Sequence, residues 1–322
     1  MRIAHTRRGR ASAVVMAAAI GLTLAACGDA SGDAEETTGE DTAGEETAGE
    51  ETEGDDAGDM GTITLGYIPS WTDGLSTAYL LENKLEEAGY TVEHEELTEA
   101  GILYTALAGG DVDIYPSAWP EVTHAQYMEE YGDSIEDLGT YYGNAKLTWA
   151  VPEYSEITSI ADLPDYADEL DNRIVGIEPG AGLTAASQDS VIPTYGLDEA
   201  GFELATSSTT AMLAELESAI GAEEEIVVTL WRPFWANATY NVRDLEDPEG
   251  ALGESEGLHF LATDGFSDEF PEVAEFIGGI SLDDAQYGAL ESTVVNDNPD
   301  DPAAGVTAWL DENADVVGSV GE

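Results

Sequence analysis

Between residues 62 and 115 short β-rich runs alternate with amphipathic ones, and the alternation returns between residues 146 and 230. Thr62 to Ile68 reads as a strand. Gly74 to Ala88 reads as a helix with Leu75, Ala78, Tyr79 and Leu85 on one side, and Thr91 to Glu96 as a second strand. Ala100 to Ala108 then reads as a helix and Val112 to Tyr115 as a short buried strand. The second series runs through Leu147 to Val151, Asn172 to Ile177, a helix near Thr184 to Tyr195, Phe202 to Thr206, a helix at Thr209 to Ile220, and Glu225 to Leu230. A β-α-β-α-β order calls for a mainly parallel sheet with helices on both faces. Two such series predict an α/β protein of two lobes, each a mainly parallel sheet flanked by helices. After Trp231 the chain is expected to return through Asn241 to Leu245 and Leu258 to Ala262. Helices are expected at Ala274 to Ile280, Asp283 to Val294 and Ala303 to Ala314. The return makes lobe 1 discontinuous, 61–143 with 242–322, around lobe 2 at 144–241. Two crossing strands then form a hinge, with a ligand in the cleft between lobes.

The first 60 residues cannot belong to that fold. Arg2, Arg7, Arg8 and Arg10 precede a small-residue apolar stretch, Ala11 to Ala25, and Leu24-Ala25-Ala26-Cys27 has the form of a lipobox. The apolar run has the length and flanks of a cleaved signal peptide, 1–26, rather than of a permanent span. Arg7-Arg8 lacks the hydrophobic residues expected directly after a twin-arginine pair. Cys27 is the only cysteine, so the expectation is a lipid anchor there and no disulfide within one molecule. From Cys27 to Met60 follow Gly, Glu, Asp, Thr and Ala with no aromatic residue. Such a tract buries too little apolar surface to offset its chain entropy, and it reads as an acidic disordered linker.

Charge excludes further partners. Four of the nine basic residues lie in the signal, and the formal net charge is -59, which argues against nucleic acid and against an anionic membrane surface. The same charge favours solubility in strong salt, where self-repulsion is screened, and points to a salt-rich habitat.

Four of the six tryptophans stand where a strand-like run gives way to a loop: Trp71, Trp119, Trp149 and Trp231. Strand-end loops are where α/β proteins place ligand contacts. A Trp face attracts a cation by about 0.5–2 kcal/mol, so converging faces suit a quaternary ammonium ion, which has no proton to donate. The alternative for each ring is ordinary packing. Trp235 and Trp309 lack the strand-end context and read as packing.

The phrases around these residues are Gly66-Tyr67-Ile68-Pro69-Ser70-Trp71-Thr72-Asp73, Ala108-Gly109-Gly110-Asp111-Val112-Asp113 leading to Trp119-Pro120-Glu121-Val122-Thr123-His124, Gly176-Ile177-Glu178-Pro179-Gly180-Ala181-Gly182, and Val227-Val228-Thr229-Leu230-Trp231-Arg232-Pro233-Phe234-Trp235. In this order, from Ile63 to about Leu290, they resemble the substrate-binding proteins of ABC importers for glycine betaine, proline betaine and choline. The resemblance implies a two-lobed type II periplasmic-binding-protein fold and capture of a small quaternary amine. Delivery would be to an ABC permease with its ATPase subunit. It implies a monomer on the extracytoplasmic face of the cell membrane, serving osmoprotection or nutrition, with no cofactor. Trp71, Trp119 and Trp231 match the family's cage walls, and Trp149 matches an aromatic that completes the cage in choline-binding relatives. Four walls at about 1–2 kcal/mol each give roughly 4–8 kcal/mol, close to the about 8 kcal/mol of micromolar binding.

Asp73 is the candidate reader of the ligand's polar end, accepting from a choline hydroxyl or adding field for the ammonium; the alternative is a helix cap. Gly180-Ala181-Gly182-Leu183-Thr184 opens a helix, so Gly182, Leu183 and Thr184 are candidate backbone donors, or simply a helix entry. Tyr142, with Tyr141, is a candidate cleft lining or a hinge cover. Family members that bind betaine usually carry His where this chain has Phe234, a departure that raises choline over betaine. His124 stands at a family-typical position and is expected beside the hinge. The four histidines show no metal-ligand spacing and no Gly-x-Ser-x-Gly elbow occurs, so the chain does not read as an enzyme. The rival classes are a sugar-binding lipoprotein or secreted glycosidase with Trp platforms, and a stalked adhesion protein.

Overall fold

The computed structural model describes residues 60–321, which form one compact unit. The expected signal peptide, the Cys27 anchor and all but the last residue of the acidic linker lie outside the described residues. Among the described residues nine strands carry the fold: β1 Thr62–Tyr67, β2 Thr91–Glu96, β3 Ile114–Ala118, β4 Ile135–Pro152, β5 Arg173–Val175, β6 Glu203–Ala205, β7 Val228–Arg232, β8 Val242–Asp244 and β9 Glu256–Thr263. They join in the order β2-β1-β3-β9-β4-β7-β5-β6, with β8 added on β4.

β4 divides this array. Its first part, Ile135 to Ala145, pairs antiparallel with β9, and β9 pairs antiparallel with β3, which continues into the parallel strands β1 and β2. Its second part, Lys146 to Ala150, pairs antiparallel with β7, which continues into the parallel β5 and β6. Each sheet therefore has the parallel core that the β-α-β alternation called for, and antiparallel strands where the chain crosses. β8 pairs with β4 at Ala150 to Pro152 and so belongs to the second sheet. The return to the first sheet thus falls between Asp244 and Glu256, later than the expected boundary at residue 242. Sequence reading also placed only Leu147 to Val151 in strand. The 18-residue β4 contains polar and Gly positions that break the alternation, with register shifts against β9 at Gly139, Tyr142 and Ala145.

Helix boundaries follow local chemistry. Asp283 caps Asp284–Ser292 by accepting from the Ala285 and Gln286 N–H groups while Gln286 reaches back, a full capping box. Asp301 caps Pro302–Asn313, with Pro302 in its first turn, and Ser208 caps Thr209–Ala222. The helix Thr72–Glu87 starts at Trp71, and no side chain caps it. Its inner face buries Ala78, Leu80, Leu81 and Leu85, while Ile63, Leu65 and Tyr67 of β1 bury the alternate positions of the strand. No helix among the described residues is long and apolar enough to cross a membrane.

Candidate functional site

The two sheets aim their strand ends at one cavity. From the first sheet come Trp71, after β1, and Trp119, directly after β3, with Thr123 and His124 of the following loop. From the second come Trp231 of β7, Leu147 of β4, and Ile177, Ala181, Gly182 and Leu183 from the segment after β5. The cavity measures about 30 Å³. Three indoles and four aliphatic side chains make its wall largely apolar. The two halves touch here: a Cβ on Gly182 would stand 2.1 Å from the Thr123 carbonyl oxygen. Only glycine lets the backbone after β5 come this close to the loop after β3.

Carboxylates hold two of the indoles by their edges. Asp73 Oδ2 accepts from Trp119 Nε1 at 3.1 Å and from the Ser117 hydroxyl at 2.7 Å; Ser117 also meets Tyr141 Oη at 2.7 Å. Burial pushes the Asp73 carboxyl above the usual carboxylate range, opposed by these donors and by backbone N–H groups. Glu178, from the second half, accepts from Trp71 Nε1 and from the Ser70 hydroxyl, each at 3.3 Å, and from the Thr209 N–H at 2.9 Å and hydroxyl at 2.8 Å. Trp231 is backed by Phe234, whose ring stacks at 4.0 Å and 23°. Both indole N–H groups are thereby occupied, which fixes the two rings at the cavity wall.

His124 supplies the polar side. It is 2% exposed and burial drives its pKa down to about 3, so it is neutral. Its Nδ1 receives the Trp119 backbone N–H at 3.3 Å and lies 3.2 Å from Tyr104 Oη. A backbone N–H can only donate, so Nδ1 is the bare nitrogen and Nε2 carries the proton. The ring lines the cavity and stacks on Trp71 at 6.2 Å.

The structure thus brings together Trp71, Asp73, Trp119, Trp231, Gly182 and Leu183. It separates the other expected site residues. Trp149 lies inside β4, fully buried, with Nε1 donating to Ser187 Oγ at 3.0 Å. It does not stand at a strand end, because β4 runs on to Pro152. Leu147, two residues earlier on the same face and opposite Trp231, takes the place at the cavity. Tyr142 sits on β4 away from the cavity, donating to Asp284 Oδ1 at 2.8 Å and packing on Tyr287. Thr184, expected as a backbone donor, does not line the cavity with Gly182 and Leu183, and its hydroxyl donates to the Glu178 carbonyl at 2.8 Å. Asp73 is no helix cap, and His124 lines the site instead of standing beside it. Trp235 packs on Phe234 and Tyr240, and Trp309 is core, its Nε1 donating to the Gln286 carbonyl. Glu178 had no expected role; its place in Gly-Ile-Glu-Pro-Gly after a strand was the available signal, but its partner Trp71 is 107 residues away.

Comparison with known proteins places this geometry. A family description, the substrate-binding domain of ABC-type glycine betaine transport systems, matches residues 61–312. The glycine betaine/carnitine transport binding protein GbuC of Listeria monocytogenes is 32% identical over 155 residues, 48% of this chain and 50% of that protein. The chain thus aligns with about half the length of that curated relative. Lactococcal OpuAC, solved closed and complexed with glycine betaine, superposes with a TM-score of 0.72 at 29% identity, over 80% of this chain and 97% of that one. An ABC-transporter choline binding protein in complex with choline superposes at 0.69 and 25% identity, over 80% of this chain and 90% of that one.

Proposed function

The chain belongs to the family of substrate-binding domains of ABC-type glycine betaine transport systems, and from that membership we propose that it captures glycine betaine, choline or a close quaternary ammonium relative for an ABC permease and its ATPase subunit. The fold is the type II periplasmic-binding-protein fold of its solved relatives. Lactococcal OpuAC was solved with glycine betaine and another relative with choline. The single observation that carries the reading for this chain is the convergence of Trp71, Trp119 and Trp231 on one small apolar cavity. The trimethylammonium head sits against the three indole faces, which need no proton from it.

The ligand's oxygen end sits at His124, whose Nε2–H donates equally well to a betaine carboxylate or to a choline hydroxyl. This donor supports keeping betaine beside choline although Phe234 stands where betaine-binding relatives usually carry His. The two sheets act as lobes that close over the ligand, with Glu178 and Gly182 meeting Trp71 and Thr123 across the cleft. The protein works by binding and release and makes or breaks no covalent bond. It acts outside the cytoplasm, attached through lipid at Cys27, and serves osmoprotection. The test is calorimetry with a methylammonium panel and a sugar panel. Saturable binding of glycine betaine or choline is expected, with no heat from sugars; sugar binding alone would replace this reading with the carbohydrate one.

A further inference from the structure

Acids tie the outer side of the loop that carries Trp119, Thr123 and His124 to β9. Glu256 accepts from the Val122 N–H at 2.9 Å, from the Thr123 N–H at 3.0 Å and from the Thr123 hydroxyl. Glu121 accepts from the Gly257 N–H at 2.9 Å, and its other oxygen lies 3.0 Å from His259 Nε2. Across the same ring, Nδ1 lies 2.9 and 3.0 Å from the two oxygens of Asp137 on β4, while Thr140 Oγ1 stands 3.0 Å from Nε2. His259 is the register partner of Ala118, the residue before Trp119, and of Thr140. A neutral imidazole has one N–H and satisfies one of the two flanking carboxylates, whereas the imidazolium satisfies both.

We propose that His259 is a positioning residue for the Trp119 wall, its protonated ring joining Glu121 of the binding loop to Asp137 of β4. The charged groups that face it are both acidic, Asp137 from β4 and Glu121 from the loop; Glu256, earlier on β9, bonds the loop at Val122 and Thr123 instead. Burial disfavours the charged ring, but the Asp137 and Glu121 carboxylates outweigh it and hold the His259 pKa above the ordinary imidazole value. The hydrogen bond to His259 in turn holds Asp137 below the usual carboxylate range. The loop is therefore held best below the raised pKa and loosens as pH climbs through it.

The ligand readout rests on the function proposed above, and a second readout does not. Calorimetric titration with glycine betaine from about pH 6 to about pH 9 is suitable because neither of its charges titrates there. Affinity of the parent protein is expected to fall about two- to fivefold over that range, the scale of a partly exposed ion pair. His259→Gln and Glu121→Gln should each give a flat profile, and by reciprocity betaine should raise the His259 pKa measured by NMR. Independently of ligand, exchange of the Val122 and Thr123 amides, corrected for intrinsic rate, should quicken above the His259 pKa in the parent and not in His259→Gln. A flat parent profile, or the parent's slope retained in His259→Gln, overturns the proposal. Should His259→Gln fail to fold, Glu121→Gln and the NMR shift decide between the same outcomes. Absence of betaine binding at every pH would count against the proposed function, and the amide exchange would still decide the role of His259.

Discussion

At the scale of single residues, the site separates walls from the groups that aim them. Three indoles at about 1–2 kcal/mol each supply roughly 3–6 kcal/mol, short of the about 8 kcal/mol of micromolar binding. The remainder must come from the ligand's oxygen end, for which His124 is the donor proposed above. Substituting Trp71, Trp119 or Trp231 by Ala is expected to weaken betaine or choline binding by about 1–3 kcal/mol each, a ring's cation-π attraction plus lost contact. Trp149→Ala should instead destabilise the fold and leave the cavity lining intact, a difference that paired calorimetry and thermal unfolding will resolve. Asp73 was expected to read a choline hydroxyl directly, yet its Oδ2 already accepts from Trp119 and Ser117. Asp73→Asn should accordingly weaken betaine and choline together, by about 1–2 kcal/mol, as Trp119 loses a charge-assisted bond. A loss confined to choline would restore the direct role.

At the scale of elements, buried acids join the pieces that strand order alone leaves separate. Glu291, in the helix Asp284–Ser292, accepts from the Thr72 hydroxyl at the start of the helix Thr72–Glu87 and from the Trp235 N–H. Burial, helped by the nearby Asp73, raises its pKa to about 8. A folded-state pKa above the unfolded value means that the folded protein holds this proton more tightly. Glu291 therefore costs no stability below about pH 4.5, the ordinary carboxylate range, and costs progressively more as pH rises toward 8. Thermal unfolding should show the parent losing stability over that interval and Glu291→Gln losing less, with each unit of pKa gap worth about 1.4 kcal/mol. If both proteins share one pH profile, Glu291 is not the group that titrates.

The elements themselves were largely legible. Strong alternation at Ile63, Leu65 and Tyr67 and the helical patterns at 74–88, 209–220, 283–294 and 303–314 put strands and helices near their observed positions. The long β4 was not, because Gly139, Gly143 and Asn144 interrupt its pattern, and tertiary pairing with β9 and β7 overrides local propensity. Trp149 was misplaced for the same reason, since it was read at the edge of a loop and stands inside β4, which continues three residues further. The cage walls were visible because Trp after an apolar run is a local signal. Glu178 and His124 were not, since their roles depend on partners that only folding brings near.

At the scale of the whole molecule, the chain combines a fold that binds with an acidic surface and an N-terminal tract of different character. Self-repulsion from a net charge of -59 is screened as salt rises, so the melting temperature should climb between low salt and about 1 M salt, where the Debye length is about 3 Å. A melting temperature that falls or stays level over that interval would show that the acids are already neutralised by local donors. Deleting residues 28–59 should leave affinity unchanged, while Cys27→Ser should move the protein out of the membrane fraction. The claim on which the rest depends is that methylated nitrogen is held by aromatic faces and not by hydrogen bonds. Calorimetric titration with glycine and its mono-, di- and trimethylated forms examines it directly. Affinity should rise with every methyl group and be greatest for glycine betaine, with glycine itself not binding; equal or tighter binding of the less methylated forms would mean that a hydrogen-bond acceptor, and not the cage of Trp71, Trp119 and Trp231, holds the ligand.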